Sequence, residues 1–406
     1  MNQERMTMSE RHERQLVTTF ALAALLLTPQ VGNAADKSSK QASAKKLHVF
    51  VGTYTRGESE GIYVSQLDLE TGKLSEPQLA AKSVNPSFVA IHPSRKFVYA
   101  VGEINDFQGK KTGGVSAFAV NPKTGQLKLI NQQSSGGTGP CHLVVDATGK
   151  NVLVANYGGG SVACLPIKAD GSLAKASSFH QHEGSSVNPQ RQKGPHAHSI
   201  NVDANNRFAM AADLGLDKVL IYRFDAKKGT LTPNDPPSVS VKPGGGPRHF
   251  AFHPNGKFAF MNNEITLALT AFRYDAQAGT LKELQTLSTL PKGTETKGLS
   301  TAEVRVHPNG KFVYVSNRGH NTIAIFRFNQ KNGRLKAIGH VSTGGETPRN
   351  FNLDPSGRFA LAANQSTHNV VVFRVNQQTG QLTPTGSEIK VFNPVCIRFM
   401  ETDDDS

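Results

Sequence analysis

The chain has 406 residues, 37% hydrophobic and 19% charged, which excludes a disordered or fibrous chain and leaves ample apolar surface for a core. Its net charge of +14 favours anionic partners, yet no basic run is interleaved with aromatics, so no nucleic-acid partner is expected. Three cysteines, Cys141, Cys164 and Cys396, make neither an even disulfide framework nor a CxxC pair.

In chain order, residues 1–35 read as a secretory signal peptide. A polar start with three arginines precedes "LVTTFALAALLLTPQVGNA", Leu16 to Ala34. Gly32-Asn33-Ala34 supplies the small residues for cleavage near Ala34/Ala35. The apolar run is short and broken at Thr28-Pro29, so no stable membrane insertion is expected and the location is periplasmic or secreted; a buried core helix is the alternative. Glu4, Glu10 and Glu13 balance the three arginines, so cleavage leaves the net charge unchanged. Residues 36–46 are a Lys/Ser linker, 47–400 the folded domain and 401–406 an acidic tail.

The folded part repeats one unit of about 50 residues. "KLHVFVGTY", Lys46 to Tyr54, is a second strand without a first. Six hairpins follow, whose first strands alternate apolar residues (Val89/Ile91, Leu143/Val145, Ile200/Val202, Phe250/Phe252, Val304/Val306, Phe351/Leu353). Their turns fall at His92, Asp146, Asp203, His253, His307 and Asp354, and more apolar second strands such as "KFVYAVG" and "RFALAAN" come next. Gly turns of the type "ETGKL" and "QTGQL" mark a later hairpin in each unit. "NPVCIRFM", Asn393 to Met400, is a first strand without its second. Joined to the opening strand it completes a seventh unit and removes an exposed edge. The expectation is an all-β, seven-bladed β-propeller of four-stranded antiparallel blades, closed by the C-terminal strand. The absence of Trp argues against the WD type, and an open sandwich would not need a split unit.

First-strand starts and second-strand ends share one rim, where the long connections Ile104 to Gly114 and Ser177 to Ala197 also open. The copies act as controls for one another. His92, His253 and His307 exchange with Asp at the same turn, and Asn156, Asn263, Asn317 and Asn364 recur at strand ends, so these serve the frame. "FAFHPNGKFAFMNNEI" and "VRVHPNGKFVYVSNRG" agree through a whole hairpin and then reverse charge, Glu264 against Arg318. Further departures are Cys141-His142, His198, Arg248-His249, Glu303 and Arg349 at first-strand starts, with Glu103 and Tyr157 at second-strand ends. Arginine forks suit phosphate or carboxylate, and His and Glu move protons. The alternative is a set of structural salt bridges between blades.

Other chemistries have less support. No GxSxG elbow is present, and strand alternation sends Cys141 and His142 to opposite faces, so they cannot pair as nucleophile and base. His180, His182, His196 and His198 lack zinc-site spacing, and a ring of Asn and Glu oxygens around Ca²⁺ is a further alternative. No metal or cofactor is expected.

At "GPHAHS", "GGGPRHFAFHPNGKFAF", "STAEVRVHPNGKFVYVSNRGHNTIAIF" and "TPRNFNLDPSGRF" the sequence resembles the seven-bladed lactonase family of propeller-type 6-phosphogluconolactonases and carboxy-cis,cis-muconate cyclases. The likeness spans nearly the whole chain after the leader, with "GTYT" and "GIYVSQLD" fitting its beginning. It implies lactone hydrolysis or formation without a metal, at a site of one His, two Arg and a Glu. By motif these are His198 in "GPHAH" (with His196 a rival), Arg248 in "GPRH", Glu264 in "NNE" and Arg318 in "SNR". Arg349 in "TPRN" also matches, and His249 and Glu303 join as substrate-binding candidates. The expected function is hydrolysis of an anionic sugar-acid lactone, with His198 or Glu264 as general base and the arginines on the anionic group and oxyanion. A muconate-lactone cyclase, or an exported propeller that binds a protein or glycan without catalysis, are the alternatives.

Overall fold

The computed structural model describes residues 46–402, so the signal-peptide reading, nearly all of the linker and the acidic tail beyond Thr402 lie outside the described residues. Within them, 28 strands form seven four-stranded antiparallel sheets, because each repeat supplies the same pair of hairpins. Blade 1 is the split one, ordered Pro394–Glu401, Lys46–Thr53, Gly61–Asp68, Gln78–Lys82. Blades 2 to 7 begin with Val89–Ile91, Pro140–Val145, Ala197–Val202, Pro247–Phe252, Ser300–Val306 and Pro348–Leu353. These seven first strands touch in a closed cycle around the axis. The fold is a seven-bladed β-propeller, as the repeats indicate.

The core lies between blades. Each sheet buries both faces, so a second strand such as Phe258–Asn263 is buried at every residue, whereas the outer strand Arg334–Ser342 fully buries only Leu335. Phe312 and Tyr314 of blade 6 pack with Phe351, Ala360 and Phe373 of blade 7, each large side chain contributing about 1.5–3 kcal/mol. In blade 1, Leu47 pairs with Glu401 and Gly52 with Cys396, which leaves no first-strand edge open.

Two local features place the side chains that matter. Turn histidines join neighbouring blades: His253 Nε2 donates to Gly310 O at 2.8 Å and His307 Nε2 to Gly357 O at 2.9 Å. Gly310 is required there, with φ +70° and a Cβ position only 2.6 Å from the His253 ring. Where the turn carries Asp, the carboxylate caps its own turn instead, as Asp354 Oδ1 does for Phe359 N at 2.6 Å. The second feature is a register shift near the start of the first strand in six blades. Such a bulge opposes two residues to one and turns consecutive side chains the same way. It overturns the alternation expected for Cys141 and His142: Cys141 packs on His198 and His142 against Phe88 and His249, both along the axis.

Candidate active site

On the rim formed by the first-strand starts lies a polar cavity of about 340 Å³. Its floor is built around Glu264, only 4% exposed, whose backbone N–H is fixed to Gly246 O at 2.7 Å. The Glu264 carboxylate meets three guanidinium groups. Arg248 Nε donates to Oε2 at 2.8 Å, Arg318 Nη2 lies 3.1 Å from Oε2, and Arg191 Nη2 donates to Oε1 at 2.7 Å. Burial pushes the Glu264 carboxyl up, but Arg318, Arg248 and their neighbours outweigh it and hold it well below the usual range. Glu264 is thus ionised and weakly basic. Burial and the other arginines lower Arg318 to about 10, which still leaves it charged at neutral pH. Its buried Nε has no partner among the described residues.

A second cluster faces the first. Arg349 Nη2 donates to Tyr54 Oη at 2.8 Å and its guanidinium lies over the Tyr54 ring. Tyr54 Oη in turn donates to Glu103 at 2.9 Å, and Ser87 Oγ donates to the same carboxylate at 2.5 Å. Burial raises the Tyr54 hydroxyl pKa, so it stays a donor. Four arginines (191, 248, 318, 349) against two carboxylates (103, 264) leave the cavity region with a net charge of about +2, by the fixed charge of guanidinium and carboxylate at neutral pH.

His198 stands between the clusters. Its Nε2 lies 3.9 Å from Glu264 Oε2, while Nδ1 lies 3.6 Å from Cys141 Sγ. Burial, then the Arg248 charge, hold His198 well below its ordinary pKa, so the imidazole is neutral at pH 7. Burial pushes the Cys141 thiol up, so it stays protonated and serves to orient the ring rather than attack.

The predicted residues separate into layers. His198, Glu264, Arg318 and Arg349 line the cavity, and Arg248 lies directly beneath Glu264. His196 does not enter it: its ring stacks on Tyr157 at 4.5 Å and its Nδ1 donates to Tyr157 O. His249 and Glu303 sit one layer further down the axis. There Phe88, His142 and His249 close ring against ring, with centroids 4.2 and 5.3 Å apart along the series. Glu303 Oε1 lies 3.0 Å from His249 Nδ1 without hydrogen-bond alignment, and its carboxylate accepts from Val304 N and Asn350 Nδ2. Among the described residues no group of three or more His, Cys, Asp or Glu side chains is placed to hold a metal ion; His182 is instead clamped between Asp213 and Tyr222.

Arg191 and Tyr54 escaped sequence comparison. Arg191 lies in the stretch between Ser178–Gln181, which proves to be the outer strand of blade 3, and Ala197–Val202. Two buried aspartates hold this segment over the rim. Asp213 accepts from His182 Nδ1 at 2.7 Å and His196 N at 2.8 Å, and Asp217 from Ser186 Oγ at 2.6 Å and Gly246 N at 2.7 Å. The same loop places the Arg191 side chain, 41% exposed, at the mouth of the cavity.

The family described as "Lactonase, 7-bladed beta-propeller" matches residues 48–399. A 6-phosphogluconolactonase of Bacillus subtilis is 40% identical over 351 residues, covering 86% of this chain and 97% of that protein. One of Formosa agariphila is 36% identical over 75% of this chain and 85% of its own. Among solved structures, a periplasmic gluconolactonase of Pseudomonas aeruginosa is 32% identical with a TM-score of 0.83, covering 88% of this chain and 99% of that one.

Proposed function

Because the chain belongs to the seven-bladed β-propeller lactonase family, we propose that it hydrolyses an anionic sugar-acid lactone in the rim cavity. The enzyme is a carboxylic-ester hydrolase. One observation carries the site assignment: neutral His198 stands 3.9 Å from ionised Glu264 in a cavity where arginines outnumber carboxylates.

The roles follow from basicity and position. Water held by His198 Nε2 and Glu264 Oε2 attacks the lactone carbonyl carbon, and its proton passes to His198. Glu264 is too weakly basic to take that proton; it orients the water and stabilises the imidazolium that forms. Arg318, with a free buried Nε, and Arg349 face the carbonyl oxygen as negative charge develops there. The C–O ring bond then breaks and His198 returns its proton to the leaving oxygen, giving the open hydroxy acid. Arg191 at the mouth grips the substrate's phosphate or carboxylate as a fork.

The 6-phosphogluconolactonases among its relatives support a phosphorylated aldonolactone, and the likeness to a periplasmic gluconolactonase supports both an unphosphorylated one and the exported location read from residues 1–35. Comparing kcat/KM for 6-phosphogluconolactone and gluconolactone by pH-stat tests the reading. Turnover of both, with the higher kcat/KM for 6-phosphogluconolactone and lost in His198→Ala protein of unchanged melting temperature, is the expected result; a preference for the neutral lactone would keep the lactonase and remove the anionic substrate. No turnover of any lactone by folded protein would favour a non-catalytic binder.

A further inference from the structure

The opposite mouth of the axial channel is a second depression, of about 550 Å³, lined by the lower parts of the first strands and by their turns. The Phe88–His142–His249 layer separates it from the rim cavity, with Arg398 over the Phe88 ring at 4.4 Å. Two residues before the turn, the first strands of blades 1 to 7 present Arg398, Ala90, Val144, Asn201, Ala251, Arg305 and Asn352. Small or apolar residues occupy three of the seven equivalent positions and amides two. The two charges are both arginines, flanking Asn352 in consecutive blades 6, 7 and 1.

These arginines are poorly matched by the protein. Arg398 has no carboxylate within ion-pair distance among the described residues; its Nη1 donates to Ile397 O at 2.7 Å. Arg305 Nη2 reaches Glu303 only at 3.4 Å, and its buried Nε has no partner among the described residues. Glu303 is shared with Asn350 and Val304 N. Asp354 also lines the depression, but its oxygens cap their own turn at Ser356 N and Phe359 N. Each guanidinium carries five N–H donors, and each here commits few of them to the protein. Arg305 and Arg398 line the same depression; burial above all lowers Arg398, and the Arg305 charge lowers it further against a partial offset from Glu303, so an anion between the two guanidinium groups relieves their repulsion.

We infer that this far mouth is a binding site for one small phosphate or carboxylate anion, gripped by Arg305 and Arg398 with Asn352 between them and separate from the lactone cavity. The inference does not depend on the lactonase reading. A phosphate group and a carboxylate present the same paired oxygens to a fork, and the volume accommodates a small organic acid or phosphate ester as well as the inorganic ion.

Isothermal titration of the full chain with inorganic phosphate, and separately with succinate, measures the site. Wild-type protein should bind at least one of the two probes. An Arg305→Gln/Arg398→Gln double variant should lose at least tenfold in that affinity while keeping wild-type lactone turnover. An unchanged isotherm in the double variant overturns the proposal, as does loss of turnover together with binding, since that would make the two cavities one site. Should the double variant fail to fold, wild-type crystals soaked in arsenate decide: an anomalous peak between Arg305 and Arg398 supports the site, and peaks only at the rim cavity, or none, overturn it.

Discussion

Glu264 and Arg318 stand at equivalent positions, each at the end of the second strand in consecutive blades, and Arg318 Nη2 lies 3.1 Å from Glu264 Oε2. The charge reversal between two otherwise matching repeats is therefore a contact between those repeats. It is an inter-blade salt bridge and part of the candidate site at once, so the two readings of the sequence describe one arrangement. A buried pair of this kind adds little net stability when intact but costs much when one partner is removed.

Glu264→Gln should leave three arginines without their shared carboxylate and destabilise the fold by about 3–5 kcal/mol. The pH dependence has a definite sign. Glu264 is depressed well below 4.5 in the folded protein, so its stabilising effect is complete above the unfolded value and is lost as pH falls through the folded one. Denaturant melts of wild type and Glu264→Gln should differ most near neutrality and converge in acid below 4.5. A constant difference down to strong acid would contradict the assignment.

His198→Gln should lower kcat by about 10²–10⁴-fold, the usual scale for losing a general base. His196→Gln should leave kcat nearly unchanged, because that ring stacks on Tyr157 outside the cavity. In wild type the acid limb of kcat/KM should fall well below 6.5, since burial and Arg248 depress His198. A pH-stat series from pH 5 to 8 checks both points.

Arg191→Gln should raise KM for a phosphorylated lactone by about 10- to 100-fold, the size of a lost charge-assisted pair of roughly 1.5–3 kcal/mol. The neutral lactone should be affected far less. Equal effects on both substrates would remove Arg191 from anion recognition.

His253→Asp tests which rim is catalytic. The change breaks the bond to Gly310 O but supplies the turn cap used by Asp146, Asp203 and Asp354. Stability should shift by about 1 kcal/mol or less, with kcat and KM at wild-type values. A large loss of kcat here would place the chemistry at the wrong end of the channel.

Much of this was legible because the chain repeats. A frame residue recurs, so His253 and Asn317 could be set aside, and a departure such as Arg318 or Glu264 stood out. The comparison failed for two different reasons. Arg191 belongs to a segment without a counterpart in other blades. Tyr54 does hold the place of Glu264, since Thr53 pairs with Pro394 as Asn263 pairs with Pro247, but the divided blade separates its two strands in sequence and hides the equivalence. Depth along the axis was also hidden. His249 and Glu303 directly follow Arg248 and Ala302, yet bulges aim both members of each pair inward at successive levels, so the second member falls below the cavity. Periodicity of two cannot foresee that, because the bulge adds a residue that the alternation does not count.

The split blade has a consequence for how the protein comes into being. Thr402 Oγ1 donates to Lys46 O across 356 positions of sequence, and the strand Lys46–Thr53 waits for Pro394–Glu401 as its inner neighbour. Synthesis delivers the first of these long before the second. Until then blade 1 lacks its innermost strand, and the apolar partners of Cys396 in one core cluster and of Ile397 in another are uncovered. Contacts this distant impose the largest loop-closure entropy and slow folding most. No chain emerging from the ribosome without Pro394–Glu401 can therefore be a finished ring, and the polypeptide stays open until that strand has been made.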